Sequence, residues 1–88
     1  MTWNIRLSRE AARQLTRYPR DHQKRIKDDI DQMETDPFLG NVAPLKGKKW
    51  KGRYRKVSGR YRIIFTPSHK DRIVEISAIL PRSEKTYR

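Results

Sequence analysis

Arg53-Tyr54-Arg55-Lys56-Val57-Ser58-Gly59-Arg60-Tyr61-Arg62-Ile63-Ile64-Phe65 places two short runs rich in β-branched and aromatic residues on either side of Ser58-Gly59, the composition of a β-hairpin. Side chains alternate along a strand, so Tyr54 falls on one side and Arg53 and Arg55 on the other. In the second run Tyr61, Ile63 and Phe65 face away from Arg60, Arg62 and Ile64. With Ser58-Gly59 as a two-residue turn, Val57 is expected opposite Arg60, Arg55 opposite Arg62, Tyr54 opposite Ile63, and Arg53 opposite Ile64. Aromatic then meets aliphatic on one face and arginine meets arginine on the other. A three-residue loop would set Tyr54 against Arg62 and mix the faces. The pattern thus gives the hairpin one side for a core and one for solvent.

Upstream, Trp3, Ile5 and Leu7 alternate with polar residues, as in a short strand with one buried face. Ser8 is placed as a helix N-cap, with Glu10 in the first turn, where a carboxylate suits the helix dipole. Ala11, Ala12, Leu15 and Tyr18 follow at helical spacing until Pro19. Ile26, Ile30 and Met33 predict a second helix over residues 21–34, which Asp36-Pro37 closes. Residues 38–47 lack periodicity and read as a connecting loop anchored by Leu45. Further strands are expected over residues 50–56, 60–66 and 72–80, with 67–71 as a turn and Val74, Ile76, Ala78 and Leu80 on one face. The order β-α-α-β-β-β predicts an α+β fold: a helical hairpin on one face of a four-stranded, mainly antiparallel sheet whose other face stays open.

The chain has 88 residues, 34% of them hydrophobic, which is enough for a single domain over 1–88 and too little for a second, cofactor-binding one. It contains no cysteine, hence no disulfide framework and no thiolate metal site. Together with the absence of a long apolar run or signal-like N-terminus, this points to a cytoplasmic protein that needs no membrane. The net charge is +12 and unevenly spread: residues 1–41 hold eight basic and seven acidic side chains, residues 42–88 fourteen and three. Between positions 42 and 65 nine Lys or Arg occur without one carboxylate. Gathered on one surface, such an excess is the footprint of a polyanion binder.

Arginines paired across a hairpin weaken it by about 0.2–1 kcal/mol, by analogy with what opposite charges contribute. A functional reason for them is a phosphate cleft of Arg53, Arg55 and Arg62, flanked by Lys51 and Arg60, since guanidinium forks match phosphate oxygens. The plainer reading is that exposed arginines cover an open sheet face with their methylene stems. Lys46, Lys48, Lys49, Lys51, Lys56 and Arg60 are the further candidate RNA contacts. His22, on a polar helix, and His69, in a turn, are expected to be isolated surface residues, so no metal site or cofactor is expected. Parity assigns Trp50 and Tyr54 to packing. Tyr87 follows Pro81-Arg82-Ser83-Glu84 outside any apolar periodicity and has no evident packing duty.

Leu45-Lys46-Gly47, Arg53-Tyr54-Arg55, Gly59-Arg60-Tyr61-Arg62-Ile63-Ile64-Phe65, and Arg82 followed by Tyr87 form an ordered set that resembles the RelE/ParE superfamily of bacterial type II toxins. The resemblance spans almost the whole chain. It implies either a RelE-like, ribosome-dependent endoribonuclease that cuts messenger RNA in the A site, or a ParE-like poison of DNA gyrase. In the RelE type, two basic residues before the glycine turn, matched here by Arg53 and Arg55, activate the 2′-hydroxyl and hold phosphate. The resemblance further assigns Arg62 to the scissile phosphate, Arg82 to a supporting arginine, and Tyr87 to stacking on or orienting the substrate. One departure concerns the base. Arg53 and Arg55 stand where the best-known members carry lysine, and arginine, with a pKa above about 12, is a poor general base. Lys51, Lys56, Glu84, Tyr87 or the ribosome's own orientation of the RNA are the alternatives. The implied partners are a cognate antitoxin, the ribosome and messenger RNA, with the toxin alone a monomer. The rival readings are the gyrase poison and a non-catalytic RNA- or ribosome-binding module.

Overall fold

The computed structural model describes residues 2–82, apart from the side chain of Trp50. Strand β1 (Asn4–Leu7) leads into helices α1 (Arg9–Thr16) and α2 (Arg20–Met33), followed by β2 (Val42–Pro44), a 3-10 turn (Lys48–Trp50), β3 (Tyr54–Ser58), β4 (Tyr61–Ser68) and β5 (Ile73–Pro81). The strands form one sheet in the order β1-β5-β4-β3-β2, with β1 parallel to β5 and the other pairs antiparallel. Both helices cover one face. Ala11 and Leu15 of α1 and Ile26, Ile30 and Met33 of α2 pack with Ile63, Phe65, Val74, Ile76 and Ile79 of the sheet. Burying each large apolar side chain there contributes about 1.5–3 kcal/mol.

The helix boundaries follow their local chemistry. Ser8 Oγ accepts from the Ala11 N–H at 3.0 Å, and the hydroxyl donates to the Ser77 carbonyl at 3.0 Å, so the cap also ties α1 to β5. Pro19 separates the helices at φ −56°. Asp36 accepts from the Phe38 N–H at 2.9 Å beside the buried Pro37, which stops the chain after α2. Strand β1 pairs with β5 only as far as Ile76. Beyond it, side chains from α1 and the residues just after it take the place of a strand: Gln14 Oε1 accepts from the Ile79 N–H at 2.7 Å, and the Tyr18 hydroxyl donates to the Ile79 carbonyl at 2.6 Å. Burial and, next, the neighbouring Tyr61 push the Tyr18 hydroxyl above the usual tyrosine pKa, against an opposing pull from Arg17.

Several details differ from the sequence expectation. The sheet has five strands rather than four, because Val42–Pro44, too short to show periodicity, pairs with β3. Phe38 and Val42, rather than the half-buried Leu45, join that connection to the core. Strand β3 begins at Tyr54 instead of residue 50, since Gly52 at φ +82° breaks the chain's direction after the 3-10 turn. At the other end β4 runs on through Pro67, opposite Val74, where β3 no longer needs a donor from it. The turn into β5 closes with Arg72 at φ +58°. Leu7, expected inside, is 37% exposed because β1 is an edge strand.

Two register changes alter which side chains meet on the sheet. The β3–β4 turn is Gly59-Arg60, not Ser58-Gly59, with Ser58 paired to Tyr61. Gly59 adopts φ +59° at the first central position while Arg60 stays at negative φ, the pattern of a type II′ turn, which favours glycine there. A shift of two preserves both faces but changes the partners: Tyr54 lies opposite Phe65, Arg55 opposite Ile64, and Val57 opposite Arg62. In β5 an irregularity between Ile64 and Phe65 leaves Ser77 without a facing residue. This bulge reverses parity along β5, so Val74, Ile76 and Ile79 face the helices. Ala78 and Leu80 therefore belong to the open face, opposite Ile64 and Arg62.

Candidate nucleic-acid interface

The open face is built on β3, β4 and β5. Arg62 sits between Val57 of β3 and Leu80 of β5, and Arg55 between Ala43 of β2 and Ile64 of β4. No charged residue is directly across the ladder from either arginine. The two are diagonal neighbours rather than a facing pair, a separation of about 7–8 Å between backbones that long side chains readily span. The expected direct Arg55–Arg62 repulsion is thereby corrected. Both are half-buried, and Arg55 Nη1 donates to Asn41 Oδ1 at 3.3 Å. Ile64 is 3% exposed yet lies outside the cluster beneath the helices, so the open face has an apolar floor of its own.

Other candidates extend this surface toward its two ends. Arg53 is exposed just before β3, where its carbonyl accepts from the Leu45 N–H at 2.9 Å and continues the ladder. Arg82 is exposed at the opposite end, its N–H donating to the Arg60 carbonyl at 2.6 Å. The alternation places Arg53 with Arg55, and Arg82 with Leu80 and Arg62. Lys46, Lys48, Lys49 and Lys51 are exposed on the connection from β2 to β3, beside the Arg53 end, and Arg60 is exposed in the turn at the other. Tyr87 and Glu84 lie outside the described residues.

Lys56 is the exception. It is 4% exposed, paired with Val42 and Ile63 on the helix side, and its ammonium donates to the Leu39 carbonyl. That corrects its assignment as an RNA contact and removes it as a general base, since it occupies the wrong face of the sheet.

The histidines also differ from expectation. His22 Nδ1 lies 2.8 Å from the Tyr61 hydroxyl, and the His22 side chain is only 33% exposed. His69, although exposed, stacks on Phe38 at 5.7 Å and meets the Trp3 ring edge-on at 5.4 Å. Both are held by aromatic neighbours from distant segments, which spacing along one helix or turn cannot reveal. Asn41, the partner of Arg55, was equally silent, as a loop residue without periodicity. Among the described residues no group of three or more His, Asp or Glu is placed to hold a metal, and no helix is long and apolar enough to cross a membrane.

The fold, two helices on one face of a five-stranded mixed sheet, is shared with solved structures of toxins and toxin–antitoxin complexes. The chain superimposes on the archaeal RelE–RelB complex from Pyrococcus horikoshii with a TM-score of 0.82 and 26% identity, covering 96% of this chain and 99% of that one. The RelBE2 toxin–antitoxin complex from Mycobacterium tuberculosis gives 0.83 with 18% identity over 93% and 100%. A mutant of the E. coli toxin RelE in the free state gives 0.72 with 12% identity over 98% and 88%. No curated protein sequence matches. The family described as the ParE toxin of the type II toxin–antitoxin system parDE matches residues 5–86. The chain belongs to this family: it is a type II toxin of the RelE/ParE superfamily.

Proposed function

We propose that this toxin is a ribosome-dependent endoribonuclease that cleaves messenger RNA through its open sheet face and is neutralised by a cognate antitoxin. The observation that carries the reading is the placement of Arg55 and Arg62 as diagonal neighbours on the face the helices leave uncovered, with only uncharged residues across the ladder from them. Two guanidiniums on an apolar floor favour a phosphate and exclude a share of its water, conditions in which charge-assisted hydrogen bonds gain strength.

The reaction is attack of an RNA 2′-hydroxyl on the adjacent phosphorus. The bond to the 5′-oxygen breaks, leaving a 2′,3′-cyclic phosphate and a 5′-hydroxyl. Negative charge gathers on the phosphoryl oxygens in the transition state, and Arg55 and Arg62 stabilise it there. Losing a preorganised donor of this kind costs about 2.7–4 kcal/mol of barrier. Arg53 and Arg82 hold the strand to either side, Lys46, Lys48, Lys49 and Lys51 track its backbone, and Tyr87 orients the base. Neither Arg53 nor Arg55 removes the proton. Lys51, Glu84 and Tyr87 stay open for that step, helped by the ribosome's positioning of the RNA. The solved neighbours include toxin–antitoxin complexes, and an antitoxin of this chain is expected to bind it by covering the same basic face.

Primer extension on translated messenger RNA, with wild-type protein and Arg62→Ala, tests this. Wild type should give ribosome-dependent cuts with 5′-hydroxyl ends, and Arg62→Ala none. Stalled DNA gyrase without messenger RNA cleavage would instead assign the protein to the gyrase-directed branch whose name the matching family carries.

A further inference from the structure

On the helix side of the Gly59-Arg60 turn, a cleft of about 150 Å³ is lined by His22, Arg25, Ser58, Gly59, Arg60 and Tyr61. Three of these can carry positive charge, and the lining includes no carboxylate. Its parts are held in place. The Tyr61 hydroxyl fixes His22 through Nδ1, which leaves Nε2 turned away from that bond, 3.9 Å from the exposed Asp21 carboxylate. The Arg25 side chain lies along the turn where glycine leaves room: a Cβ on Gly59 would come within 3.2 Å of Arg25 Cδ and Nε. Asp29, the carboxylate next to the cleft, accepts the hydroxyl of the buried Ser58.

Arg60 connects this cleft to the open face, since it lines the cleft while its carbonyl accepts from the Arg82 N–H at the end of the β4–β5 ladder. Cations therefore continue from Arg62 to Arg82 and Arg60 at the rim and on to Arg25 and His22 behind it. A single acidic side chain would need one such position. A chain of regularly spaced charges uses them all.

We infer that this cleft is a second phosphate site, which takes a backbone phosphate of the same single-stranded RNA after the strand bends round the Gly59-Arg60 turn. The inference rests on the open face being the RNA surface. Arg25 and Arg60 bring two guanidiniums to one cleft, and guanidinium forks match the oxygens of a phosphate.

The test is fluorescence anisotropy with a labelled twelve-nucleotide 2′-O-methyl RNA, which binds without being cut, across a series of salt concentrations. Arg25 is exposed, so Arg25→Gln should melt like wild type. It should bind about two- to five-fold more weakly at physiological salt, the range for one exposed ionic contact. Its log–log salt slope should be shallower by about 0.7, the value for one released counterion on a single strand. Arg25→Lys should restore the slope. An Arg25→Gln protein with unchanged affinity and slope overturns the second site. So does one that binds RNA normally but loses affinity for its antitoxin, because the cleft would then serve the partner protein. Unchanged RNA binding by Arg62→Ala, with a loss in Arg25→Gln, would overturn the open-face reading and with it the bent path of one strand, since RNA would then bind at the cleft alone. Wild-type protein that binds no RNA overturns both.

Discussion

Lys56 and Arg62 lie on adjacent strands of one hairpin, each flanked across the ladder by aliphatic residues, yet they belong to opposite faces. Lys56 lies between Val42 and Ile63 under the helices, and its ammonium donates to the Leu39 carbonyl. Arg62 lies between Val57 and Leu80 on the face that no helix covers. The covered face uses its cation to hold the segment after α2 against the sheet. The open face carries Arg55 and Arg62, both half-buried and with no charged residue across the ladder. Basic sequence thus divides by parity into a buried structural lysine and the arginines proposed to bind RNA, and a count of charges alone would merge them.

The largest break in this comparison comes from the covered face. Phe65 is fully buried between the helices and Tyr54, and Phe65→Ala should cost about 3–5 kcal/mol in urea denaturation. Next comes Lys56→Met, which keeps the stem but orphans the Leu39 carbonyl. It should lower stability by about 1–3 kcal/mol while leaving the salt dependence of RNA binding as in wild type. A shallower salt slope in Lys56→Met would show that the lysine reaches the ligand after all.

A smaller effect is expected at the sheet edge that α1 closes. Tyr18→Phe removes the hydroxyl bonded to the Ile79 carbonyl and should cost about 0.5–1.5 kcal/mol near neutral pH. Because the folded state raises the Tyr18 pKa, its neutral form binds a proton that the unfolded chain releases first. The stability it contributes is complete below the ordinary value of about 10 and is lost as pH rises through the higher folded value. Chemical denaturation in this alkaline range should therefore show a steeper decline for wild type than for Tyr18→Phe. Equal slopes would mean that the hydroxyl is not held as described.

Much of this division was legible in the sequence. Strict alternation in Arg53-Tyr54-Arg55 and Tyr61-Arg62-Ile63 sorts the core face from the basic face, and because the actual turn is displaced by two residues, every side chain keeps its side. The helices were equally plain from the Ser8 cap, Pro19 and the Ile26, Ile30, Met33 stripe. What escaped depended on long-range geometry. Assigning Ser58-Gly59 to the turn overlooked that glycine is needed at the first central position, which draws Ser58 into the strand beside Asp29. The bulge at Ser77 has no signature in the sequence, because Val74-Glu75-Ile76-Ser77-Ala78 keeps a strict alternation through the bulge itself and only apolar residues follow, so Ile79 was missed as a core residue. Lys56 looked like one more cation in an acid-free stretch. Its parity with Tyr54 already placed it on the core side, but its carbonyl partner comes from a loop residue seventeen positions earlier.

The most direct test sets Arg62→Ala beside Lys56→Met in one assay of ribosome-stimulated messenger RNA cleavage, with unfolding free energies measured on the same preparations. Arg62→Ala should stay folded and lose cleavage, whereas Lys56→Met should lose stability and, where it is still folded, cleave at the wild-type rate. Cleavage by Arg62→Ala equal to wild type, or its loss in a folded Lys56→Met, would contradict the assignment of function to the open face.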